Sequence, residues 1–407
     1  MRLLLITVAY PPYIFSESLC NAKLVLNLQR AGFHVDVISR EGMGPSYSGE
    51  WEEPWCQLRE NLHEISYSRG ISISRLVDVL YSCFKLGSNI PIEGIRWARR
   101  ALDLAIRLHR EKAYDAVLTR SPSDIPHLIG RALHRITGIK WLANWNDPAV
   151  TIWPAPYGAE LSKRFVRKYN KIVQSCLNEA SVNTFPCIHL LQHFQETFIV
   201  PNGTVVPHVQ LPDALFERAE KKRTAVFTMC HAGNLSAERN PARLFQAMRM
   251  AMDSCGNEMQ LHIMGQYSAA IEKLAEDAGV KTNVHFIGAC EYMESLKKMQ
   301  NYDALVMVEA ELTRGIFAPS KLTDYAQCGL PLLFVSPIDG YSCDISRKSS
   351  LCVHADNCDT ADISNGIIHL YKNWEHGNSR NQLEKLSHTA GYDGENVVRL
   401  YREILEQ

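Results

Sequence analysis

The sequence predicts an α/β fold built from two parallel-sheet domains, and three features carry that expectation. At 407 residues the chain exceeds what one hydrophobic core usually organises, which favours two domains of about 200 residues each. Short apolar runs rich in β-branched residues recur between longer stretches of helical spacing, the alternation that parallel sheets with crossover helices produce. The whole series occurs twice, with a polar stretch ending in Glu220-Lys221-Lys222-Arg223 between the two copies. Two Rossmann-like domains facing each other across a cleft follow, over residues 1–205 and 206–385, with 386–407 as a terminal helix returning to the first. In open sheets of this kind ligands sit at the carboxyl ends of the strands.

The strands of the first series are expected at Leu3–Val8, His34–Ser39, Tyr114–Thr119, Lys140–Asn144, Ser181–Phe185 and Phe198–Val200. A helix over Asn21–Ala31 ends at Gly32, which can adopt the left-handed conformation that stops helices. The second series is expected at Ala225–Cys230, Gln260–Met264, Val284–Ile287, Ala304–Val308, Leu332–Val335 and Leu351–Val353.

Composition bounds the function. With 46% hydrophobic and 21% charged residues, the chain is not a disordered one. A net charge of −1 argues against a general nucleic-acid binder, although the first 205 residues carry 23 Lys and Arg against 18 Asp and Glu. The twelve cysteines include no C-x-x-C pair and no Cys/His grouping at zinc spacing, which reads as reduced thiols in a cytoplasmic protein. The first apolar run, Leu3 to Ala9, is followed by Pro11-Pro12 and is too short to span a bilayer. No Asp-x-Asp ends a strand; Asp356, Asp359 and Asp362 read as a solvated helix start rather than a metal cage.

Two loops at strand ends carry the chemistry. Gly315-Ile316-Phe317-Ala318-Pro319-Ser320-Lys321-Leu322-Thr323-Asp324-Tyr325 reads as a loop running into a short helix opened by Pro319, with Gly329 as its stop. Backbone amides at a helix start suit a phosphate, and Ser320 and Lys321 add a hydroxyl and a charge. Asp324, one turn on, can accept from a ribose diol or pair with Lys321 on the surface. The second loop, Cys230-His231-Ala232-Gly233-Asn234-Leu235 through Arg239-Asn240-Pro241, offers Gly233 for close backbone approach and Arg239 for a bidentate phosphate grip.

These loops, together with Leu261-His262-Ile263-Met264-Gly265, Val284-His285-Phe286-Ile287-Gly288, Asp303-Ala304-Leu305-Val306 and Gly329-Leu330-Pro331, occur in an order that resembles glycosyltransferase family 4, of GT-B fold. The resemblance covers nearly all of residues 225–340 and implies retaining transfer from a nucleotide-sugar without a metal or other cofactor. It implies a diphosphate held by Arg239, Lys321, Ser320, Gly233 and Asn234, a ribose on Asp324, and a base near Gly265, Gln266 and Gly288. Members of the family usually carry Glu where Asp324 stands and another eight positions earlier, where this chain has Ile316. The donor sugar would then be oriented by backbone amides of Gly315, Ile316 and Phe317, or by Glu309 or Glu311, unless Arg314 simply neutralises those two. A Pro-Ser-Lys subgroup shares this departure.

The first half resembles the family more loosely. Ser16 and Ser18 stand where many relatives have a glycine pair meeting the donor phosphate; their hydroxyls either donate to it or cap the following helix. In Arg120-Ser121-Pro122-Ser123-Asp124-Ile125-Pro126-His127, His127 is a cleft histidine or a core one. Asp147, in Asn144-Trp145-Asn146-Asp147-Pro148, is an acceptor base or a turn former. The acceptor is expected to be a saccharide or lipid-linked saccharide. Basic helical segments at Arg96–Arg110 and Lys163–Lys171 are either solvated faces or a peripheral contact with an anionic membrane. A nucleotide-sugar 2-epimerase of the same architecture, or a non-catalytic nucleotide-sugar-binding partner, are the competing functions.

Overall fold

The computed structural model describes residues 1–13, 15–41, 51–66, 75–86, 94–121, 124–219, 225–377 and 386–407, and the side chains of all of these but 75–79. Pro122, Ser123, the stretch Glu220-Lys221-Lys222-Arg223 and the boundary at 385 lie outside the described residues. The chain divides into two compact units, one of Met1–Pro212 with Gly394–Gln407 and one of Asp213–Asp393.

The first unit runs β1 (Arg2–Ile6), α1 (Ser16–Arg30), β2 (His34–Glu41), β3 (Leu62–Ser66), α2 (Arg75–Phe84), α3 (Ile95–Lys112), β4 (Ala116–Arg120), α4 (Ile125–Thr137), β5 (Lys140–Asn144), α5 (Lys163–Glu179), β6 (Val182–Phe185), α6 (Ile188–Gln195) and β7 (Gly203–Val205). Among the described residues its sheet is parallel throughout, in the order β3-β2-β1-β4-β5-β6-β7. Leu3–Ile6 are buried on both faces, as a central parallel strand requires.

The second unit runs β8 (Phe227–Ala232), α7 (Ala242–Cys255), β9 (Met259–Met264), α8 (Ala269–Asp277), β10 (Val284–Phe286), α9 (Tyr292–Met299), β11 (Ala304–Val308), α10 (Leu322–Cys328), β12 (Leu332–Ser336), α11 (Tyr341–Ser346), β13 (Cys352–Asp356), α12 (Thr360–Glu375) and α13 (Leu386–Thr389). Its strands are also parallel, in the order β10-β9-β8-β11-β12-β13. Phe227, Met229, Leu261, Ile263 and Val306 on the sheet pack with Phe245 and Met248 of α7 and Ile363 and Ile367 of α12. The last helix, α14 (Gly394–Glu406), belongs to the first unit.

In both sheets the strand order reverses beside the first strand, between β1 and β4 and between β8 and β11. Crossovers leave in opposite directions there, so the loops splay apart and open a crevice at the carboxyl ends.

Some elements differ from expectation. Phe198–Val200 is coil, and the edge strand is Gly203–Val205. β3 carries no apolar run, with Leu62, His63 and Ile65 half-buried and Glu64 and Ser66 exposed, so periodicity does not reveal it. Asp359 caps α12 by accepting from the amides of Ala361 and Asp362, and Asp362 accepts from the Asp356 amide, which gives these carboxylates structural work. Among the described residues no helix is long and apolar enough to cross a membrane.

The α4 helix lies so close to β4 and β5 that a Cβ on Gly130 would stand 2.4 Å from the Trp141 indole nitrogen and 2.6 Å from Thr119 Cγ2. Trp141 is fully buried and cannot swing away. Gly130→Ala should therefore destabilise the chain by about 1–3 kcal/mol despite the better helix propensity of alanine, seen as a lower urea midpoint.

Candidate functional site

The second unit concentrates polar groups at its reversal point. β8 runs Phe227-Thr228-Met229-Cys230 to His231, which is fully buried near the strand end. Its Nδ1 lies 2.9 Å from the Val306 carbonyl on β11, which fixes the proton on Nδ1 and leaves the Nε2 lone pair exposed to the Lys321 ammonium at 3.4 Å. Burial, with Lys321 adding to it, holds the imidazole well below its ordinary range, so it is neutral.

Lys321 reaches this position from the turn before α10. Burial, reinforced by the Arg239 guanidinium, lowers its ammonium to about 7. Gly233 makes room for it, since a Cβ there would sit 2.6 Å from Lys321 Nζ, and the residue has φ of 121°. The Gly233 amide donates to the Met264 carbonyl at 2.9 Å. Asn234 Oδ1 accepts from the Gln266 amide at 2.8 Å. Gly265 completes the junction, because a side chain there would meet the Gly233 carbonyl oxygen at 2.5 Å. The loops after β8 and β9 are thus stitched together, with Gln266 exposed beside them; Gly288, also exposed, follows β10.

Glu309 follows β11 directly and is buried, its carboxyl raised to about 7 by that burial against the opposing pull of the Ser342 hydroxyl and Arg239. Ser342 Oγ donates to its Oε1. Arg239 is exposed and acts electrostatically on Lys321, His231 and Glu309 at once. One cation, one ammonium poised near neutrality and one carboxyl poised near neutrality therefore share a strand-end crevice, the pattern of a ligand site for an anion with hydroxyls attached.

Several expectations need correction. The helix opens at Leu322 with Lys321 as its cap residue, and Pro319 lies before it, its carbonyl accepting from the Leu322 amide at 3.0 Å. Asp324 is buried and accepts from the Tyr292 hydroxyl at 2.6 Å, so it is no surface partner of Lys321. The Gly315 amide is committed to the Asp339 carbonyl at 2.8 Å, where Gly315 and Gly340 cross in backbone contact, and Ile316 is buried. Glu311 pairs with Arg243, and Arg314 with Asp339. Ser320 and Phe317 are half-buried in the same loop.

In the first unit His127 is fully buried, its ring 4.1 Å from that of Trp145 and its Nδ1 2.8 Å from the Thr119 hydroxyl. Burial lowers it to about 3. It is neutral and enclosed, the burial expected of a core histidine. The α1 start has no side-chain cap: Ser16 is exposed and Ser18 fully buried. Asp147 is half-buried, and its amide, with that of Asn146, points at Ser121 Oγ. Beside it Asn146 donates to Glu17 at 2.7 Å, with Arg120 3.5 Å from the same carboxylate oxygen.

Sequence reading passed over His231, Tyr325, Ser342 and Glu17. Tyr325 accepts from the Ala232 amide at 2.7 Å, tying α10 to the end of β8.

Residues 214–388 match the family model "Glycosyl transferases group 1", which lies wholly within the second unit. Among curated proteins no sequence matches the chain significantly. In fold the chain is similar to sucrose-phosphate synthase from Thermosynechococcus elongatus, at 14% identity over 100% of this chain and 99% of that one with a TM-score of 0.67. It is similar to Anabaena HepE, solved in complex with UDP and glucose, at 11% identity over 100% and 99% with a TM-score of 0.69. A glycosyltransferase from Rickettsia africae is similar at 11% identity over 100% and 98%, with a TM-score of 0.67. The fold is therefore GT-B, with two Rossmann-like α/β units.

Gly233→Ala should cost stability twice, through strain at positive φ and through collision with Lys321. A double-mutant cycle with Lys321→Ala separates the two. The alanine at 233 should be less destabilising in the Lys321→Ala background by about 0.5–3 kcal/mol, measured by denaturant unfolding.

Proposed function

We propose that the chain is a glycosyltransferase that transfers a sugar, with retention and without a metal, from a nucleotide diphosphate sugar bound in the second unit to a saccharide or lipid-linked saccharide. The observation that carries this reading is the Lys321 ammonium set against Gly233, with Arg239 within electrostatic reach. Two cations at a strand-end crevice suit a diphosphate, and the group 1 family match over the same unit supports the same ligand class.

In such a reaction the departing nucleotide diphosphate gains negative charge as the bond to the sugar breaks. Arg239 and Lys321 stabilise that charge, and neutral His231 supports Lys321 without adding a competing positive charge. Ser320 lies within the same turn to offer a hydroxyl. Asp324 is read as the ribose partner, held in place by Tyr292. Gly265, Gln266 and Gly288 line the base side.

The test is affinity for nucleotide diphosphates, beginning with UDP because the Anabaena relative holds it. Lys321→Ala and Arg239→Ala should each weaken it at least about tenfold, or about 1.4 kcal/mol, by calorimetry; unchanged affinity in both overturns the phosphate assignment. Mass spectrometry of wild-type turnover then separates the chemistry. Free nucleotide diphosphate with a glycosylated acceptor marks transfer, and an isomerised donor marks epimerisation.

The pH dependence follows from Lys321. Its free-state ammonium titrates near 7, and a bound diphosphate raises that value by favouring the charged form. Above about pH 7 binding must therefore take up a proton, so affinity falls as pH rises, by up to about tenfold per unit. UDP-glucose is the suitable probe, since its diphosphate does not itself titrate there. Calorimetry in buffers of different ionisation enthalpy should record the uptake, and Lys321→Ala should flatten the slope.

A further inference from the structure

The first unit contains a cavity that shares no residue with the sites above. It measures about 820 Å³ and is lined by Arg131 of α4 and by Lys163, Arg164, Arg167, Lys168 and Lys171 of α5. The α5 residues 164, 167, 168 and 171 recur at helical spacing, so they share one face. No carboxylate is in the lining. Among the described residues, none of the six basic side chains has a carboxylate within ion-pair distance, while many of the chain's other Lys and Arg side chains do.

Arg131 makes this more than a solvated face. It is 2% exposed, and its guanidinium donates to Ser175 Oγ at 2.7 Å and to the Leu86 carbonyl. Glu179, which feels Arg131, is taken by Arg135 through two bonds of 2.5 Å and by Ser175. A buried guanidinium whose own hydrogen bonds go to neutral oxygens, and whose nearby carboxylate is already bonded to Arg135, is incompletely neutralised beneath five further cations. An anion of more than one charge completes it.

The helix that supplies one wall indicates which anion. Cys83, near the end of α2, also lines the cavity, and on the same helix, outside the lining, Phe84 is 82% exposed and Leu80 47%. Exposed apolar side chains on a helix that also lines a cluster of cations match a ligand with a phosphate head and an apolar body, as at a membrane interface.

We propose that this cavity is a binding site for a phosphate-bearing anion, with the head on Arg131 and the α5 cations, and that Phe84 and Leu80 favour a lipid as its carrier. The inference stands apart from the donor-site reading, because it uses no residue of the second unit.

Two measurements on the full chain test it. Co-sedimentation with phosphatidylcholine vesicles, with and without phosphatidylglycerol, should show binding only when the anionic lipid is present, weakening as salt is added. Calorimetry with inorganic pyrophosphate examines the free anion. Arg167→Glu with Lys171→Glu, both exposed and harmless to packing, should reduce vesicle binding at least about tenfold. Phe84→Ser should reduce vesicle binding but not pyrophosphate binding. UDP affinity should remain unchanged in all variants, which distinguishes a failed cavity from a misfolded chain. Pyrophosphate binding that needs the α5 cations, without any vesicle binding, supports the site with a soluble phosphate as its source. Absence of both, or binding that survives the charge reversal, overturns the proposal.

Discussion

A single ammonium group organises the second unit's strand-end crevice. Lys321 Nζ is wedged where a glycine has no side chain, faces a histidine whose tautomer is dictated by a neighbouring strand, and shares its surroundings with a guanidinium. Each of these conditions disfavours its charge except the His231 lone pair. A cation kept under such pressure gains more from an arriving anion than one already solvated or paired, because the anion relieves desolvation and like-charge repulsion together. The glycines at 233 and 265, the amide bond of Gln266 to Asn234 and the Tyr325 hydroxyl on Ala232 can all be understood as fixing the walls around that group.

The reading of the chain as a transferase joins two lines of support that do not depend on each other. One is sequence, where the group 1 family signature spans residues 214–388. The other is electrostatic, where two cations and a buried carboxyl meet at the point of strand-order reversal. The first unit enters that reading through its fold alone. Its polar cluster of Glu17, Arg120 and Asn146 sits at the corresponding reversal point of the first sheet, so both sheets concentrate polar side chains where their crossovers diverge.

Much of the architecture was legible in the residues. A strand such as Ala304–Val308 coincides with its apolar run because a central parallel strand buries both faces and is apolar along its length. The half-buried edge strand Leu62–Ser66 carries no such run, and the helix begins later than Pro319 suggests because two residues of turn, Ser320 and Lys321, intervene. Gly233 was legible as a point of close approach. What composition and spacing do not disclose is which neighbours converge. His231 becomes visible only when Val306 and Lys321 are brought to its two nitrogens, and His127, attractive by position, proves to be enclosed by Trp145.

The contact of Gly315 with Gly340 has a dynamic meaning. The Gly315 amide and carbonyl bond the Asp339 carbonyl and the Tyr341 amide, so the segments after β11 and β12 are laced together main chain to main chain, and a Cβ on Gly340 would meet Gly315 atoms at 2.5 Å. Such a joint has no hinge. The segment that carries Ile316 loses its conformational freedom once, during folding, rather than at each encounter with a ligand, so a molecule arriving there meets a mould already set.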